Sequence, residues 1–202
     1  HHPDPTLPEA LEDLRREVLD MGADAGFAFD GDADRLGVLD ERGQIIWGDM
    51  LLLILGRRAI EDWRRGGEEN NPPLIISEVK ASKQLYDEIS KLGGRAIMWK
   101  TGHSLIKKKI REENALLAGE MSGHIFFADR FFGFDDAIYS SARVLEILAR
   151  SPQKLSALLA DLPKTFITPE IRIYASDEVK FEIVDRVRDT LAARYPIVDI
   201  DG

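Results

Sequence analysis

Three carboxylates stand at alternate positions in one short stretch of the chain. Asp30, Asp32 and Asp34 lie between two apolar runs, and Arg35 follows at once. Like charges this close repel one another by roughly 1 kcal/mol or more each near a protein surface, so a fixed cluster of this kind usually has a cation to neutralise it. The pattern therefore indicates a bound metal ion.

Other kinds of loop also place aspartates at this spacing. In an EF-hand, Asp30, Asp32, Asp34 and Glu41 would take positions 1, 3, 5 and 12, but Arg35 stands where a glycine is needed and strand patterns flank the loop. In a haloacid-dehalogenase-like phosphotransferase, Asp30 would be the nucleophile and Asp32 the acid–base group, with Asp34 at a position where Thr or Val is usual. An acidic turn on a solvated surface is the third alternative.

Composition limits what such a loop can mean. The chain has 202 residues, enough for one large domain or two small ones, and it is 44% hydrophobic and 31% charged, as in globular proteins. The run Met50–Leu55 is too short to cross a bilayer, no cysteine occurs and the start has no signal-peptide pattern, so no membrane contact and a cytoplasmic location are predicted. A net charge of −9 argues against nucleic-acid binding.

The elements that must position the acidic loop are read from periodicity and turn residues. The predicted elements are a helix at 11–21 with a capping box at 6–9, strands at 25–29 and 36–47 with a hairpin turn at 42–43, a helix capped by Asp49 that runs to 60, and an exposed loop at 64–73. The acidic loop then joins two strands.

Strand and helix patterns alternate from Leu74 onward. They are strand 74–77, helix 82–92, strand 95–99, helix 104–113, strands 115–119 and 124–129, and helix 135–149. This alternation predicts an α/β fold with a mixed, mostly parallel sheet and flanking helices. A new unit is predicted after Pro163, with a strand at 170–175, a helix at 177–194 and a strand at 197–200. Both ends are less than a full domain, so we expect a partial chain.

Several motifs together resemble a known family. The chain contains "DGDADR", "GDM", "EVKAS", "MWKTGHSLIKKKIREENALLAGEMSGH" and "FFGFDDAIYS", and it begins with "HHPDP". In this order and spacing they resemble the phosphomannomutase/phosphoglucomutase branch of the α-D-phosphohexomutases. The resemblance implies that residues 1–48 are the end of the second of four domains, that 49–164 form the third and that 165–202 begin the fourth.

The resemblance assigns roles to the acidic loop. It implies that Asp30, Asp32 and Asp34 hold a Mg²⁺ ion that also contacts the phosphate of an active-site serine. Hard oxygen ligands suit this ion. Arg35 is then the charge partner of the phosphoryl group.

The resemblance also implies a sugar-reading site in the segment 119–124, "GEMSGH", which we call the sugar loop. Glu120 and Ser122 would accept hydrogen bonds from adjacent sugar hydroxyls, and His124 would be a neighbouring polar contact. Lys80 and His103, at the ends of two predicted strands, would line the active site for proton transfer or phosphate contact. The lysines at 107–109 are expected to face solvent, because the apolar residues around them mark one buried helix side.

The function implied is interconversion of hexose 6-phosphate and hexose 1-phosphate through a phosphoserine and a bisphosphorylated sugar, an isomerase activity, with hexose phosphates as partners. Met121 in the sugar loop resembles the mannose/glucose branch. The phosphoserine loop and the fourth-domain phosphate clamp of the family do not occur in this chain. We therefore expect this chain alone to be inactive. A non-catalytic sugar-phosphate binding module is the alternative.

Overall fold

The computed structural model describes residues 3–67, 71–166, 171 and 173–201. The chain divides into two compact units, His1–Leu162 and Pro163–Gly202. No described helix is long and apolar enough to cross a membrane. The histidines of the "HHPDP" motif lie outside the described residues.

The first unit opens with a 3₁₀ turn, Pro8–Leu11, and helix α1, Glu12–Met21, which ends at Gly22 in the left-handed conformation. The capping box predicted at 6–9 does not start this helix. Instead, the Asp4 carboxylate accepts from the backbone N–H of Thr6 at 2.9 Å and from its hydroxyl at 2.7 Å. Aspartate two positions earlier supplies the acceptor because it forms a local turn of its own.

A small antiparallel sheet follows α1. Its strands are β1 (Ala25–Phe29), β2 (Leu36–Asp40) and β3 (Ile45–Ile46), in the order β1-β2-β3. The acidic loop connects β1 to β2, as predicted. The hairpin predicted at 42–43 is confirmed, because the Asp40 carboxylate accepts from the N–H groups of Arg42 and Gln44 at 2.9 and 2.8 Å and Gly43 has a φ of +69°.

The second sheet has four strands, ordered β5-β4-β6-β7. Its elements in chain order are α2 (Gly48–Arg65), β4 (Leu74–Glu78), α3 (Lys83–Lys91), β5 (Arg95–Trp99), α4 (His103–Glu113), β6 (Leu117–Gly119), β7 (Ile125–Phe127) and α5 (Ala137–Arg150). Strands β5, β4 and β6 are parallel and β7 is antiparallel to β6. The predicted mixed, mostly parallel α/β fold is confirmed.

Helices cover both faces of this sheet. Ile75 in β4 packs in a core cluster with α2 and α3, whereas its neighbour Ile76 packs with Ile106 and Ile110 of α4. Strand β4 is therefore buried on both sides, which explains its continuous apolar run. Helix α2 is buried throughout Leu51–Leu55, and the cluster that contains it also includes residues of the small antiparallel sheet.

Two details of α2 differ from the prediction. The helix extends to Arg65, five residues beyond Ile60, where Arg58 and Arg65 form ion pairs with acids three and four positions away. Asp49 is not its cap, since Trp47 takes that position. The Asp49 carboxylate instead accepts from the N–H of Ser82 at 2.9 Å, which fixes the start of α3 against α2.

The second unit contains helix α6, Lys180–Ala192, a shorter form of the helix predicted at 177–194. The segment 197–200 is not a strand, because no described neighbour pairs with it. The strand predicted at 170–175 falls partly outside the described residues.

Candidate active site

The acidic loop is organised by its first carboxylate. Asp30 Oδ1 accepts from the N–H groups of Asp34 and Arg35, each at 3.1 Å, and Oδ2 accepts from Arg35 Nε at 2.6 Å. The Asp30 side chain is only 4% exposed. Burial opposes ionisation, but the hydrogen bonds from Arg35 and the backbone outweigh that effect and lower the pKa of Asp30. Asp30 therefore stays ionised.

A second carboxylate holds the same guanidinium. Arg35 Nη1 donates to Asp4 Oδ1 at 3.1 Å while its Nε donates to Asp30, so the arginine is fixed from two sides. This arrangement raises the pKa of Arg35, chiefly through its hydrogen bond with Asp30. Asp4 is a site neighbour that the sequence did not single out.

The donor set of the acidic loop fits a hard cation. One oxygen each of Asp30, Asp32 and Asp34 lies within 4.8 Å of the others, and Asp32 is exposed. Burial, together with the charges of Asp30 and Asp32, raises the pKa of Asp34 despite the opposing effect of His124. A cation among these oxygens would remove that repulsion, and three carboxylates with open positions for water or phosphate suit Mg²⁺.

The sugar loop forms a tight turn between β6 and β7. The N–H of Glu120 donates to the carbonyl of His124 at 2.9 Å, and the N–H of Gly123 donates to the carbonyl of Glu120 at 3.1 Å. Ser122 lies half-buried within this turn. The turn requires glycine at 123, where φ is +94° and an added Cβ would lie 2.6 Å from the carbonyl oxygen of Leu36.

That close approach joins the two loops. The N–H of Leu36 donates to the carbonyl of Gly123 at 3.0 Å, and Arg35 and His124 form an isolated β-bridge. His124 Nδ1 is 3.7 Å from Asp34 Oδ2. The acidic loop and the sugar loop, far apart in sequence, therefore form one continuous site.

Buried Glu78, at the carboxyl end of β4, holds two segments of this site together. Its side chain is 1% exposed. One oxygen accepts from the N–H of Met121 at 2.9 Å, and the other accepts from the hydroxyl of Thr101 at 2.7 Å. Lys80 Nζ lies 3.6 Å from the same carboxylate and is half-exposed. Glu78 thus places Lys80 and the sugar loop on one side of the site.

Glu120, a residue of the sugar loop, is buried. It is 3% exposed, and Oε1 accepts from the N–H of Gly102 at 2.6 Å. Burial is the main reason that the pKa of Glu120 is raised; its contact with Gly102 and the charge of His124 only partly offset it. One oxygen is therefore committed to the protein, and the start of α4 is tied to the sugar loop.

A histidine pair lies beside these loops. The rings of His103 and His124 are stacked, with centroids 5.7 Å apart and an interplanar angle of 21°. Asp135 Oδ2 is 2.9 Å from His124 Nδ1 and 3.9 Å from His103 Nδ1, while Asp135 Oδ1 accepts from Lys107 Nζ at 2.9 Å. Burial opposes ionisation of Asp135, but these partners lower its pKa to about 2. The carboxylate is charged and raises the pKa of His124 against the effect of burial.

Two lysines depart from the prediction for 107–109. Lys107 contacts Asp135 inside the site, and Lys109 lies over the Trp99 ring at 4.2 Å and pairs with Glu113. Only Lys108 is mainly solvated, with 69% of its side chain exposed. Lys108 lies opposite the apolar stripe, whereas Lys107 and Lys109 flank it and reach neighbouring side chains, so helical periodicity alone misplaced two of the three lysines.

The structure brings the predicted site residues into one region of the first unit. They are Asp30, Asp32, Asp34 and Arg35 in the acidic loop, Lys80 after β4, His103 at the start of α4, and Glu120, Ser122 and His124 in the sugar loop. Sequence reasoning missed Glu78, Asp135 and Gly48. An added Cβ on Gly48 would lie 2.2 Å from the carbonyl oxygen of Glu120, so glycine lets α2 begin against the sugar loop. An acid that ends an apolar strand was the available signal for Glu78.

Comparison with known proteins identifies the family. Residues 47–166 match the family model described as "Phosphoglucomutase/phosphomannomutase, alpha/beta/alpha domain III", and residues 1–43 match the one described as domain II. The phosphomannomutase/phosphoglucomutase of Pseudomonas putida is 49% identical over all of this chain, and the phosphomannomutase of Escherichia coli K12 is 36% identical over 98% of it. The chain spans 42% and 41% of those two proteins.

Solved structures agree with these matches. A phosphoglucomutase/phosphomannomutase family protein of Burkholderia thailandensis superposes with a TM-score of 0.85 at 45% identity, over 100% of this chain and 42% of that one. An N-acetylphosphoglucosamine mutase of Aspergillus fumigatus, solved with GlcNAc-6P and magnesium, shares the fold at 19% identity and a TM-score of 0.56, over 67% of this chain and 32% of that one. The chain belongs to the phosphoglucomutase/phosphomannomutase family.

Proposed function

We propose that this chain carries the metal-binding and sugar-reading part of a phosphohexomutase that interconverts mannose or glucose 6-phosphate and 1-phosphate. The observation that carries the proposal is the contact between the two loops, in which Leu36 donates to Gly123 and Asp34 lies 3.7 Å from His124. A cation site and a polar sugar-facing turn are thereby adjacent, as transfer of a phosphoryl group to a sugar hydroxyl requires.

We propose distinct roles for the site residues. Asp30, Asp32 and Asp34 would hold Mg²⁺, which supplies charge neutralisation for a phosphate group when bound. Arg35, fixed by carboxylates on two sides, would present its remaining donors to a phosphoryl oxygen.

The remaining roles concern sugar binding, phosphate contact and proton transfer. Glu120 and Ser122 would accept from sugar hydroxyls, and His124 would contact the same ligand. Lys80 and His103 are side chains about half-exposed at the rim of the site, where each could donate to phosphate or move a proton. Met121 supports a mannose or glucose substrate by its resemblance to that branch.

The alternative enzyme class needs Asp30 as a nucleophile. Its side chain is 4% exposed and both of its oxygens accept hydrogen bonds, so an approaching phosphorus atom would have to displace Arg35. This geometry favours the role of a fixed ligand. A sugar-phosphate binding module without catalysis would use the same residues and differs only in whether turnover occurs.

We further propose the domain division 1–48, 49–164 and 165–202, corresponding to parts of the second, third and fourth domains of a longer mutase. On this proposal, phosphoserine and phosphate clamp come from elsewhere in the parent protein. The chain alone should then give no turnover in a coupled assay with mannose 6-phosphate, Mg²⁺ and glucose 1,6-bisphosphate, and adding a separate family first domain should restore some. Turnover by the chain alone would contradict this division of labour.

Sugar binding tests the site itself. Calorimetric titration of glucose 1-phosphate with Mg²⁺ should give weak binding that Glu120→Ala reduces by about 1.5–3 kcal/mol, the usual loss for a charge-assisted hydrogen bond. Lys108→Ala is the matched control, since this side chain is 69% exposed on the neighbouring helix. Equal affinities of wild type and Glu120→Ala would reject the sugar loop as the reader.

A further inference from the structure

Two buried polar atoms face each other beside the acidic loop without a hydrogen bond. His124 Nδ1 and Asp135 Oδ2 are 2.9 Å apart, an ion-pair distance, yet neither atom has a hydrogen-bond partner among the described residues. The Asp135 side chain is 4% exposed, and the His124 side chain 14%. Buried polar atoms are normally satisfied, so this pair requires an explanation.

The distances suit metal coordination. Asp34 Oδ2 lies 3.7 Å from the same nitrogen of His124, and the ligand atoms of Asp34, His124 and Asp135 all lie within 4.8 Å of one another. Two ligands bonded to Zn²⁺ at about 2.1 Å are about 3 Å apart at a right angle and about 3.4 Å apart at the tetrahedral angle. One ion between the three side chains would contact all of them with small side-chain shifts.

The ligand types select the cation. Zinc accepts both imidazole nitrogen and carboxylate oxygen as ligands, whereas Mg²⁺ takes oxygen ligands and keeps several waters. One ligand is also held by a residue that would not bind the ion, because Asp135 Oδ1 accepts from Lys107 Nζ at 2.9 Å. Such a hydrogen bond fixes the orientation of a ligating carboxylate.

We propose that Asp34, His124 and Asp135 form a second cation site, which takes Zn²⁺ in preference to Mg²⁺ and shares Asp34 with the acidic loop. A carboxylate shared between two ions is compatible with the spacing of two-metal sites. Zinc at this position occupies Nδ1 of His124 and restrains that ring. If the chain acts on sugar phosphates as proposed above, zinc bound here should inhibit that activity. The existence of the zinc site does not depend on the proposed function.

Titration calorimetry of ZnCl₂ in saturating Mg²⁺ tests the site on this chain. All proteins carry alanine in place of His1 and His2, since an N-terminal histidine pair binds zinc by itself. His124→Gln should lower Zn²⁺ affinity at least about tenfold and leave Mg²⁺ affinity unchanged. Asp32→Asn should do the reverse, Asp34→Asn should lower both affinities, and His103→Gln should leave both within about threefold.

The pattern across the variants decides the outcome. Loss of Zn²⁺ binding in Asp32→Asn but not in His124→Gln would place zinc in the acidic loop and overturn the proposal, as would affinity that no variant changes. If His124→Gln does not fold, ¹H–¹⁵N spectra of the imidazoles in the otherwise unaltered protein give the answer. Zinc should shift Nδ1 of His124, and coordination through His103 alone would refute the assignment.

Discussion

The acidic loop and the sugar loop both carry carboxylates, but they hold them in opposite ways. In the acidic loop, the Asp30 carboxylate accepts from backbone and side-chain donors four and five positions later, and Asp32 remains exposed. Around the sugar loop, Glu78 and Glu120 are almost fully buried and accept from distant segments.

This difference separates two uses of negative charge. The acidic loop keeps three carboxylate oxygens together, one of them on the exposed Asp32, where an exchangeable cation can neutralise them. Glu78 and Glu120 instead accept from fixed N–H and O–H donors, and these hydrogen bonds hold the shape of the turn. The comparison predicts that substitutions in the first region change ion binding and that substitutions in the second change stability.

Replacing Glu78 by alanine should have the largest effect. The change removes the acceptor of the Met121 N–H and of the Thr101 hydroxyl and opens a cavity, so the free energy of unfolding should fall by about 2–4 kcal/mol. Urea denaturation measures it. Glu78→Gln retains an amide oxygen for one donor and should lose less. A fully stable Glu78→Ala protein would show that the hydrogen bonds of Glu78 to Met121 and Thr101 do not hold the sugar loop.

Asp135 should give the next largest effect, and it depends on pH. Its pKa is lowered from 3.8 to about 2, so its ionised form stabilises the fold above about pH 4, and that contribution is lost as the pH falls to about 2. Between these two pH values, the contribution of ionised Asp135 to the free energy of unfolding falls by roughly 2 kcal/mol. Urea denaturation between pH 2 and pH 5 should show a shallower pH dependence for Asp135→Asn.

Asp13→Asn is the control for that measurement, because the Asp13 side chain is 92% exposed. It should retain the wild-type pH dependence. Identical curves for Asp135→Asn and wild type would mean that the contacts with His124 and Lys107 contribute nothing to the fold.

Glu120→Gln should have a smaller effect of the opposite sign. The pKa of Glu120 is raised, chiefly by burial, so the charged form costs stability at neutral pH, and that cost declines as the pH falls through the raised pKa and is gone below the ordinary value of 4.5. Glutamine still offers an oxygen to the Gly102 N–H. The variant should therefore unfold at a higher urea concentration at pH 7 and bind sugar phosphate less tightly. Lower stability at pH 7 would contradict this account.

Asp32→Asn should have the smallest effect on stability. No hydrogen bond or ion pair from the Asp32 side chain occurs within the described ranges, so the free energy of unfolding should stay within about 0.5 kcal/mol of wild type. Its Mg²⁺ affinity, measured by calorimetry, should nevertheless fall at least about tenfold. Asp30→Asn should lower both quantities, because Asp30 also braces Arg35. Unchanged Mg²⁺ affinity in Asp32→Asn would remove it from the ligand set.

The same contrast explains what the sequence could predict. The acidic loop was recognisable because its three aspartates and Arg35 lie within six consecutive positions, and alternation of strand and helix patterns was enough for the α/β fold. Glu78 offered only one signal, an acid at the end of an apolar strand, and Asp135 offered none, because the partners of both lie far away along the chain. The family resemblance pointed to His103 and His124 as site residues, but their ring stacking depends on packing that no local pattern contains.

The packing of helix α2 determines which parts of the first unit unfold together. Leu51–Leu55 belong to a core that includes residues of both sheets, although the two family-model matches meet between residues 43 and 47. The small antiparallel sheet β1-β2-β3 therefore has no hydrophobic core of its own and does not unfold as a separate cooperative unit. In native-state hydrogen exchange, the slowest amides of β2 and of β4 should therefore report the same free energy of opening. The acidic loop and the sugar loop should lose their structure in the same unfolding step.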